Sequence, residues 1–107
     1  MTFNLLLWHW SDDYATPAKR KKKGVKFADI TAQFARTGDH AAIGDADILA
    51  FRAAVDEIFG VDEDNRPFVF EQYPRCAVIN YTHAVRFDLV PKIADLGRRF
   101  GLNASEF

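Results

Sequence analysis

The residues best suited to chemistry lie in the segment GDHAAIGDAD, residues 38–47. It contains Asp39, His40, Asp45 and Asp47, and oxygen-rich groups of this kind favour Mg²⁺ or Ca²⁺. One hypothesis is therefore a small metal-dependent hydrolase. However, acidic residues just before a helix also cap its free amide groups and favour its dipole, and the pattern favours this interpretation. We therefore expect neither a metal site nor another cofactor.

The other groups with catalytic potential are isolated along the chain. His9 lies in an apolar segment and His83 near a predicted turn, and no two histidines have the spacing of ligands on one helical face. Cys76 lies within a predicted strand, where a thiol is usually an inert apolar side chain. The sequence contains neither a glycine-rich phosphate loop nor a serine elbow. We therefore expect a protein that binds a partner, not an enzyme.

A run of five cations stands in AKRKKKG, residues 18–24. Such a run can contact phosphates, so one alternative function is a nucleic-acid-binding module. The run contains no aromatic residue, and neither long predicted helix has a basic face, as nucleic-acid readers commonly do. The residues that would carry this alternative are Lys19, Arg20, Lys21, Lys22 and Lys23.

Charge is distributed unevenly along the chain, whose formal net charge is −1. Residues 1–26 carry six cations and two acids, whereas residues 27–65 carry two cations and nine acids. Residues 66–107 carry six cations and four acids. The near-neutral total therefore conceals an acidic middle segment, and a dense acidic surface steers a basic partner and speeds its association.

The tightest acidic group is in VDEDNR, residues 61–66, directly after a long predicted helix. Carboxylates at the C-terminal end of a helix oppose its dipole, which favours a role in solubility or in binding a basic partner. A second candidate surface is WHWSDDY, residues 8–14, because exposed Trp and Tyr are favoured at binding hot spots. The residues that we expect to contact a protein partner are Asp62, Glu63, Asp64, Asp39, Asp45, Asp47, Trp10, Asp12, Asp13 and Tyr14.

The hydrophobic pattern predicts the elements that position these residues. Residues 3–10 are apolar on both alternating sets, which is typical of a strand covered on both faces. After this strand the sequence predicts a loop at residues 11–26, a helix from Phe27 that stops at Gly38, and a helix capped by Gly44 or Asp45 that stops at Gly60. Two antiparallel strands are predicted within residues 66–81, followed by a short strand at 84–87. The last predicted elements are a helix capped by Asp88, with Pro91 in its first turn, and an extended tail. This order predicts an α+β domain, with helices packed on one face of a mainly antiparallel sheet of three to four strands.

Length and composition are those of one globular domain. The chain has 107 residues, 49% of them hydrophobic, so it is long enough to bury a core over residues 1–107. With a single cysteine, an internal disulfide is excluded, and no apolar run approaches the roughly 20 residues of a membrane span. We expect a soluble, unprocessed cytoplasmic chain whose basic loop at residues 11–26 is mobile.

Two stretches, FNLLLW at residues 3–8 and IADLGRRFGL at residues 93–102, carry a resemblance to a known group of proteins. The chain resembles the small immunity proteins encoded beside bacterial polymorphic toxins, including those of contact-dependent growth inhibition systems. The resemblance implies an α+β fold, a cytoplasmic location, no enzymatic activity, and a cognate toxin domain as partner. Many such toxins are nucleases that act on tRNA or DNA, with basic substrate clefts that an acidic surface would complement.

Overall fold

The computed structural model describes residues 2–62 and 64–107, and only the backbone of Thr2. In these residues the strands are β1 (Thr2–Trp10), β2 (Ile43–Gly44), β3 (Val69–Gln72), β4 (Ala77–Thr82) and β5 (Asn103–Glu106). The helices are α1 (Pro17–Lys23), α2 (Phe27–Thr37), α3 (Ile48–Phe59) and α4 (Arg86–Arg99), with short 3-10 turns at Asp12–Tyr14 and His83–Val85. No helix in this part of the chain is long and apolar enough to cross a membrane.

The strands form one antiparallel sheet with β1 at its centre. Residues 5–7 of β1 pair with both β4 and β5, so these two strands flank β1 on opposite edges. β3 pairs with the far side of β4, and β2 pairs with His9 and Trp10 at the end of β1. The α+β class is thus confirmed, with five strands in the described residues where three to four were predicted.

Helices cover both faces of this sheet, so the prediction that they pack on one face was wrong. Leu5 and Leu7 of β1 face a core that includes Phe51 of α3 and Ile93 of α4. Leu6 and Trp8 face the opposite core, which contains Ile30 and Phe34 of α2. The physical reason lies in β1 itself. Both alternating sets of its side chains are apolar, so each face of the sheet needs its own cover.

Two helix ends confirm the glycine signals of the sequence. α2 ends before Gly38 at φ 78° and α3 ends before Gly60 at φ 84°, and glycine adopts these positive φ angles without a Cβ clash. The start of α3 lies later than predicted, because Asp47, not Gly44 or Asp45, is its cap. The Asp47 carboxylate accepts a hydrogen bond from the Ala50 amide at 3.0 Å.

The prediction of a short strand at residues 84–87 was wrong. A 3-10 turn, His83–Val85, leads directly into α4, which starts at Arg86. Asp88 lies in the first turn of α4 and is not its cap, and Pro91 lies inside the helix. The buried α4 residues follow helical spacing, and this core contact outweighs the local β propensity that suggested a strand.

The predicted loop at residues 11–26 contains α1, so it was wrong over Pro17–Lys23. The hydroxyl oxygen of Thr16 caps the helix by accepting from the Lys19 amide at 3.3 Å, and Pro17 occupies the first helical position. Gly24, at φ 66°, ends the helix. Cap, proline and glycine are local helix signals that outweigh the lack of an apolar face.

Candidate functional site

The four residues of the hypothetical metal site are engaged separately. Asp39 forms an ion pair with Arg75 and accepts from the His40 amide at 2.8 Å. His40 accepts from the Ala42 amide through Nδ1 at 2.9 Å, and Asp47 caps α3. Among the described residues, no group of three or more His, Cys, Asp or Glu side chains is arranged to hold a metal ion. These contacts are structural, and the arrangement does not support a metal-dependent hydrolase built on this segment.

His9 and three of the expected contact residues, Trp10, Asp12 and Asp45, line one polar cleft of about 330 Å³. His9 Nδ1 lies 3.0 Å from the Gly101 carbonyl oxygen, which can only accept, so Nδ1 carries the proton. Asp12, which follows β1, and Asp45, which follows β2, both line this cleft together with Arg75. The structure therefore brings together two acids that are 33 positions apart in the sequence.

Cys76 is buried in the core shared with α2. Burial raises the pKa of the Cys76 thiol to about 11, and the neighbouring Arg75 offsets this only in part. Arg75 instead donates to the Ile43 carbonyl at 2.6 Å and pairs with Asp39. A buried, protonated thiol is a poor nucleophile.

The acidic segment after α3 forms a hydrogen-bonded turn, which we call the acidic turn (residues 60–62 and 64–66). Asp62 organises it by accepting from the Asp64 amide at 3.0 Å and from the Asn65 side-chain amide at 2.6 Å. Asp62 and Asp64 are both exposed. Glu63, the third expected contact residue here, lies outside the described residues. Asp62 therefore shapes the backbone as well as contributing charge.

A buried arginine fastens the acidic turn to α3. The side chain of Arg66 is only 1% exposed and donates to the Asp56 carboxylate at 2.9 Å and to the Gly60 carbonyl at 3.2 Å. Its guanidinium carbon lies 4.9 Å from the centre of the Phe68 ring. Sequence reasoning missed this anchor. The available signal was a lone arginine between a cluster of acids and two phenylalanines.

Two apolar side chains stand exposed beside these carboxylates. Ile58, in the last turn of α3, is 59% exposed, and Val61, in the acidic turn, is 76% exposed. Glu57, Asp62 and Asp64, which are close to them in the sequence, are also exposed. An apolar centre with a charged rim is the usual anatomy of a protein-binding patch.

The acidic middle of the sequence does not form one patch. Asp45 follows β2, and Asp47 caps the start of α3, whereas the acidic turn follows the end of α3. A helix of 12 residues is about 18 Å long, so these acids lie at opposite ends of that length. The expected contact residues therefore divide into one group near β2 and another in the acidic turn.

Two aromatic residues of the WHWSDDY segment, Trp10 and Tyr14, are covered by cations from α1. The guanidinium carbon of Arg20 lies 4.1 Å from the centre of the Trp10 ring, and Lys23 Nζ lies 5.2 Å from the centre of the Tyr14 ring. Trp10 also contacts Trp8 edge-on, with 4.5 Å between ring centres. Both Trp10 and Tyr14 are half-buried, while Asp12 and Asp13 are exposed in the 3-10 turn before α1.

The five cations of the basic run do not act alike. Arg20 Nε donates to the Tyr14 carbonyl at 2.7 Å and Nη2 to the Ala15 carbonyl at 3.2 Å, so Arg20 holds α1 against the preceding turn. The remaining residues of the run, Lys19, Lys21, Lys22 and Lys23, are exposed. Lys19, Lys22 and Lys23 line a cleft of about 360 Å³ with Asp13.

A polar cluster that the sequence did not reveal joins three elements near the C-terminal strand. Glu106 of β5 accepts from the Tyr81 hydroxyl at 2.6 Å and from Arg86 Nε at 2.9 Å. The hydrogen bond from Arg86 is the main cause that lowers the pKa of Glu106. Burial and the bond to Glu106 raise the pKa of Tyr81. The Glu106 carboxylate and the Arg86 guanidinium thus neutralise each other, and the cluster stabilises the fold.

Comparison with known proteins identifies no relative, since no family model, no curated protein and no solved structure matches this chain.

Proposed function

We propose that this protein is an immunity protein, an antitoxin-like inhibitor that binds and neutralises a cognate bacterial toxin domain in the cytoplasm. The partner is a nuclease toxin acting on tRNA or DNA, delivered by contact-dependent inhibition or a related system. One observation carries the proposal. The acidic turn presents exposed Val61 with Asp62 and Asp64 on a backbone held by buried Arg66, and exposed Ile58 stands in the last turn of α3 just before it. The proposed activity is binding alone, with no reaction and no cofactor.

The exposed apolar residues distinguish the acidic turn from an ordinary solvated loop. Solubility alone would be served by the carboxylates, and it gains nothing from exposing Val61 and Ile58 to water. A protein partner would bury both side chains and leave the carboxylates at the rim. This combination favours protein binding over a purely solubilising role.

The rigidity of the acidic turn lowers the cost of binding. Asp62 and Arg66 fix its backbone through four hydrogen bonds to the Asp64 amide, the Asn65 side chain, Asp56 and Gly60. A surface that is already ordered loses less conformational entropy when the partner binds. Preorganisation of this kind suits an inhibitor that must bind tightly.

The sign of the charge suits a nuclease. Enzymes that bind nucleic acids engage phosphates with Lys and Arg, so their substrate surfaces are basic. Asp62, Asp64 and Glu57 offer negative charge to such a surface and would steer its approach. The inhibitor would then occupy the cleft in place of the nucleic acid.

The first test is a pull-down of the tagged protein from cells that also express the products of the two adjacent genes. We expect stoichiometric recovery of a toxin domain, and we expect this protein to restore growth when the toxin is induced. If no adjacent gene product is recovered and growth is not restored, the immunity proposal is wrong.

Substitutions at the two ends of α3 then locate the interface. Asp64→Lys should slow association with the recovered toxin by about threefold or more at low salt, because it reverses a charge on the acidic turn. Asp45→Lys makes the same charge change near β2 and is the matched control. Val61→Ser should speed dissociation without changing the charge. If Asp45→Lys slows association more than Asp64→Lys does, the interface lies near β2 and not at the acidic turn.

A further inference from the structure

Three lysines on one face of α1 line a surface cleft. At 100° per residue, Lys19, Lys22 and Lys23 fall within about 100° of one another around the helix, whereas Lys21 points to the other side. The three side chains line a cleft of about 360 Å³ between α1 and the Asp12–Tyr14 turn, and among the described residues Asp13 is the one carboxylate that lines it. We call this place the lysine cleft.

Two of the three lysines are held in position. Lys19 Nζ donates to the Asp12 carbonyl at 3.1 Å, and Lys23 Nζ lies over the Tyr14 ring. Arg20 fixes the helix beneath them through Trp10 and two carbonyl groups. These contacts place Lys19 and Lys23 on the side of α1 that faces the Asp12–Tyr14 turn.

The lysines of the cleft form no ion pair with any carboxylate of the residues that the structure describes. Within the described residues, none of the four lysines of the run has a carboxylate oxygen within the 4.0 Å of an ion pair. Like charges spaced three or four residues apart, as in Lys19 with Lys22 and Lys23, destabilise a helix. The helix dipole favours cations in the last turn, but it does not require them to share one face. An external polyanion would relieve this repulsion.

We propose that the lysine cleft binds the phosphodiester backbone of a single-stranded nucleic acid. Three lysines on one face of a helix about 10 Å long offer positive charge to the phosphates of a short stretch of one strand. The small volume of the cleft, about 360 Å³, favours a short segment of one strand over a double helix. The inference does not depend on the proposed inhibition of a toxin, because α1 and the acidic turn are separate surfaces.

Salt dependence counts the phosphates that the cleft engages. We would measure binding of a fluorescent oligouridylate of about 12 nucleotides by anisotropy, between about 50 and 200 mM salt. Three contacts predict that log K falls with log salt with a slope of about −2 on a single strand. A slope near −3 or steeper would mean that Arg20 and Lys21 contribute as well, and it would contradict the assignment to one face.

Single substitutions separate the cleft from general positive charge. Lys22→Ser should reduce the magnitude of the slope by about 0.7, and Lys19→Ser and Lys23→Ser should do the same. Lys21→Ser removes the same charge from the opposite side of α1 and should leave the slope unchanged. Far-UV circular dichroism verifies that each variant keeps its helix content.

Three outcomes would overturn the proposal. The first is no binding of the oligouridylate by the wild-type protein at about 50 mM salt. The second is an equal effect of Lys21→Ser and Lys22→Ser, which would indicate net charge alone. The third is tighter binding of polyglutamate or of duplex DNA than of the single strand, which would assign the surface to an acidic protein or to a duplex. None of these results bears on recovery of a toxin domain, so the two proposals fail independently.

Discussion

The Tyr81 hydroxyl donates to the Glu106 carboxylate at 2.6 Å, which joins β4 to β5 across the central strand β1. Arg86, the first residue of α4, donates to the same carboxylate at 2.9 Å. Arg86 also lies over the Phe3 ring of β1, with its guanidinium carbon 4.5 Å from the ring centre. Three elements therefore meet at one carboxylate, Arg86 links them to β1, and this cluster holds the last strand in the sheet.

Removing the Tyr81 hydroxyl should weaken this junction. Tyr81→Phe deletes one hydrogen bond of a buried side chain, so we expect the free energy of unfolding to fall by about 1 kcal/mol. Urea unfolding followed by circular dichroism measures it. Tyr73→Phe is the matched control, since Tyr73 is a half-buried tyrosine outside this cluster. Equal stability of Tyr81→Phe and wild type would show that the bond contributes nothing.

The same junction should make stability depend on pH in the acid range. The hydrogen bond from Arg86 lowers the pKa of Glu106 below its ordinary value of 4.5. The stabilisation is therefore fully present above about pH 4.5 and is lost as the pH falls through the folded-state pKa. We expect the stability difference between wild type and Glu106→Gln to shrink below pH 4.5. A difference that stays constant from pH 7 to pH 3 would contradict this assignment.

The Cys76 thiol should be unreactive in the folded protein. Burial raises its pKa from 9.0 to about 11, so at pH 8 almost no thiolate is present or accessible. We expect a thiol-specific colorimetric reagent to react slowly with the native protein and rapidly in denaturant. The same shift predicts that the contribution of this thiol to the free energy of unfolding is fully present below pH 9 and is lost as the pH rises toward 11. Fast labelling of the native protein at pH 8 would contradict the buried placement.

Replacing Arg20 should release α1 from the preceding turn. Arg20→Gln removes the cation–π contact with Trp10 and the charged donors to the Tyr14 and Ala15 carbonyl groups. A cation–π contact at an exposed site contributes about 0.5–1 kcal/mol to the free energy of unfolding. We expect a red shift of tryptophan fluorescence emission, because Trp10 becomes more exposed to solvent. We also expect a small loss of the helical signal in far-UV circular dichroism. Lys21→Gln removes the same charge without these contacts and should change neither. Identical spectra for both variants would mean that Arg20 does not hold the helix.

A side chain at position 44 should disrupt the pairing of β2 with β1. A Cβ at Gly44 would lie 2.6 Å from the Ser11 Cα and 2.8 Å from the Trp10 carbonyl oxygen, and backbone atoms cannot move aside cheaply. We expect Gly44→Ala to lower the free energy of unfolding by about 1–3 kcal/mol. Gly97→Ala is the comparison, because its nearest neighbour is the movable Leu7 Cδ1 at 3.1 Å. Gly97→Ala should lower the free energy of unfolding by less than Gly44→Ala does. The reverse order would contradict this packing.

Sequence periodicity predicted the elements whose signals are local. The doubly apolar β1 was predicted correctly, because both alternating sets of its side chains are apolar and both are buried. The glycines at positions 38 and 60 end their helices as expected. The error at residues 84–87 arose because a short apolar segment has no period of its own, so its contacts decide its conformation.

The candidate surfaces depended much more on tertiary structure. The sequence by itself determined that the middle of the chain is acidic, that residues 19–23 are basic, and that no catalytic motif is present. Only the fold decided that the acids divide between the two ends of α3, and that Arg66 and Arg20 are anchors and not solvated charges. The physical reason is that composition fixes which charges exist, whereas their partners are set by chain segments that are distant in sequence. Arg75 and Asp39, 36 residues apart, meet only because the sheet and its flanking loops bring them together.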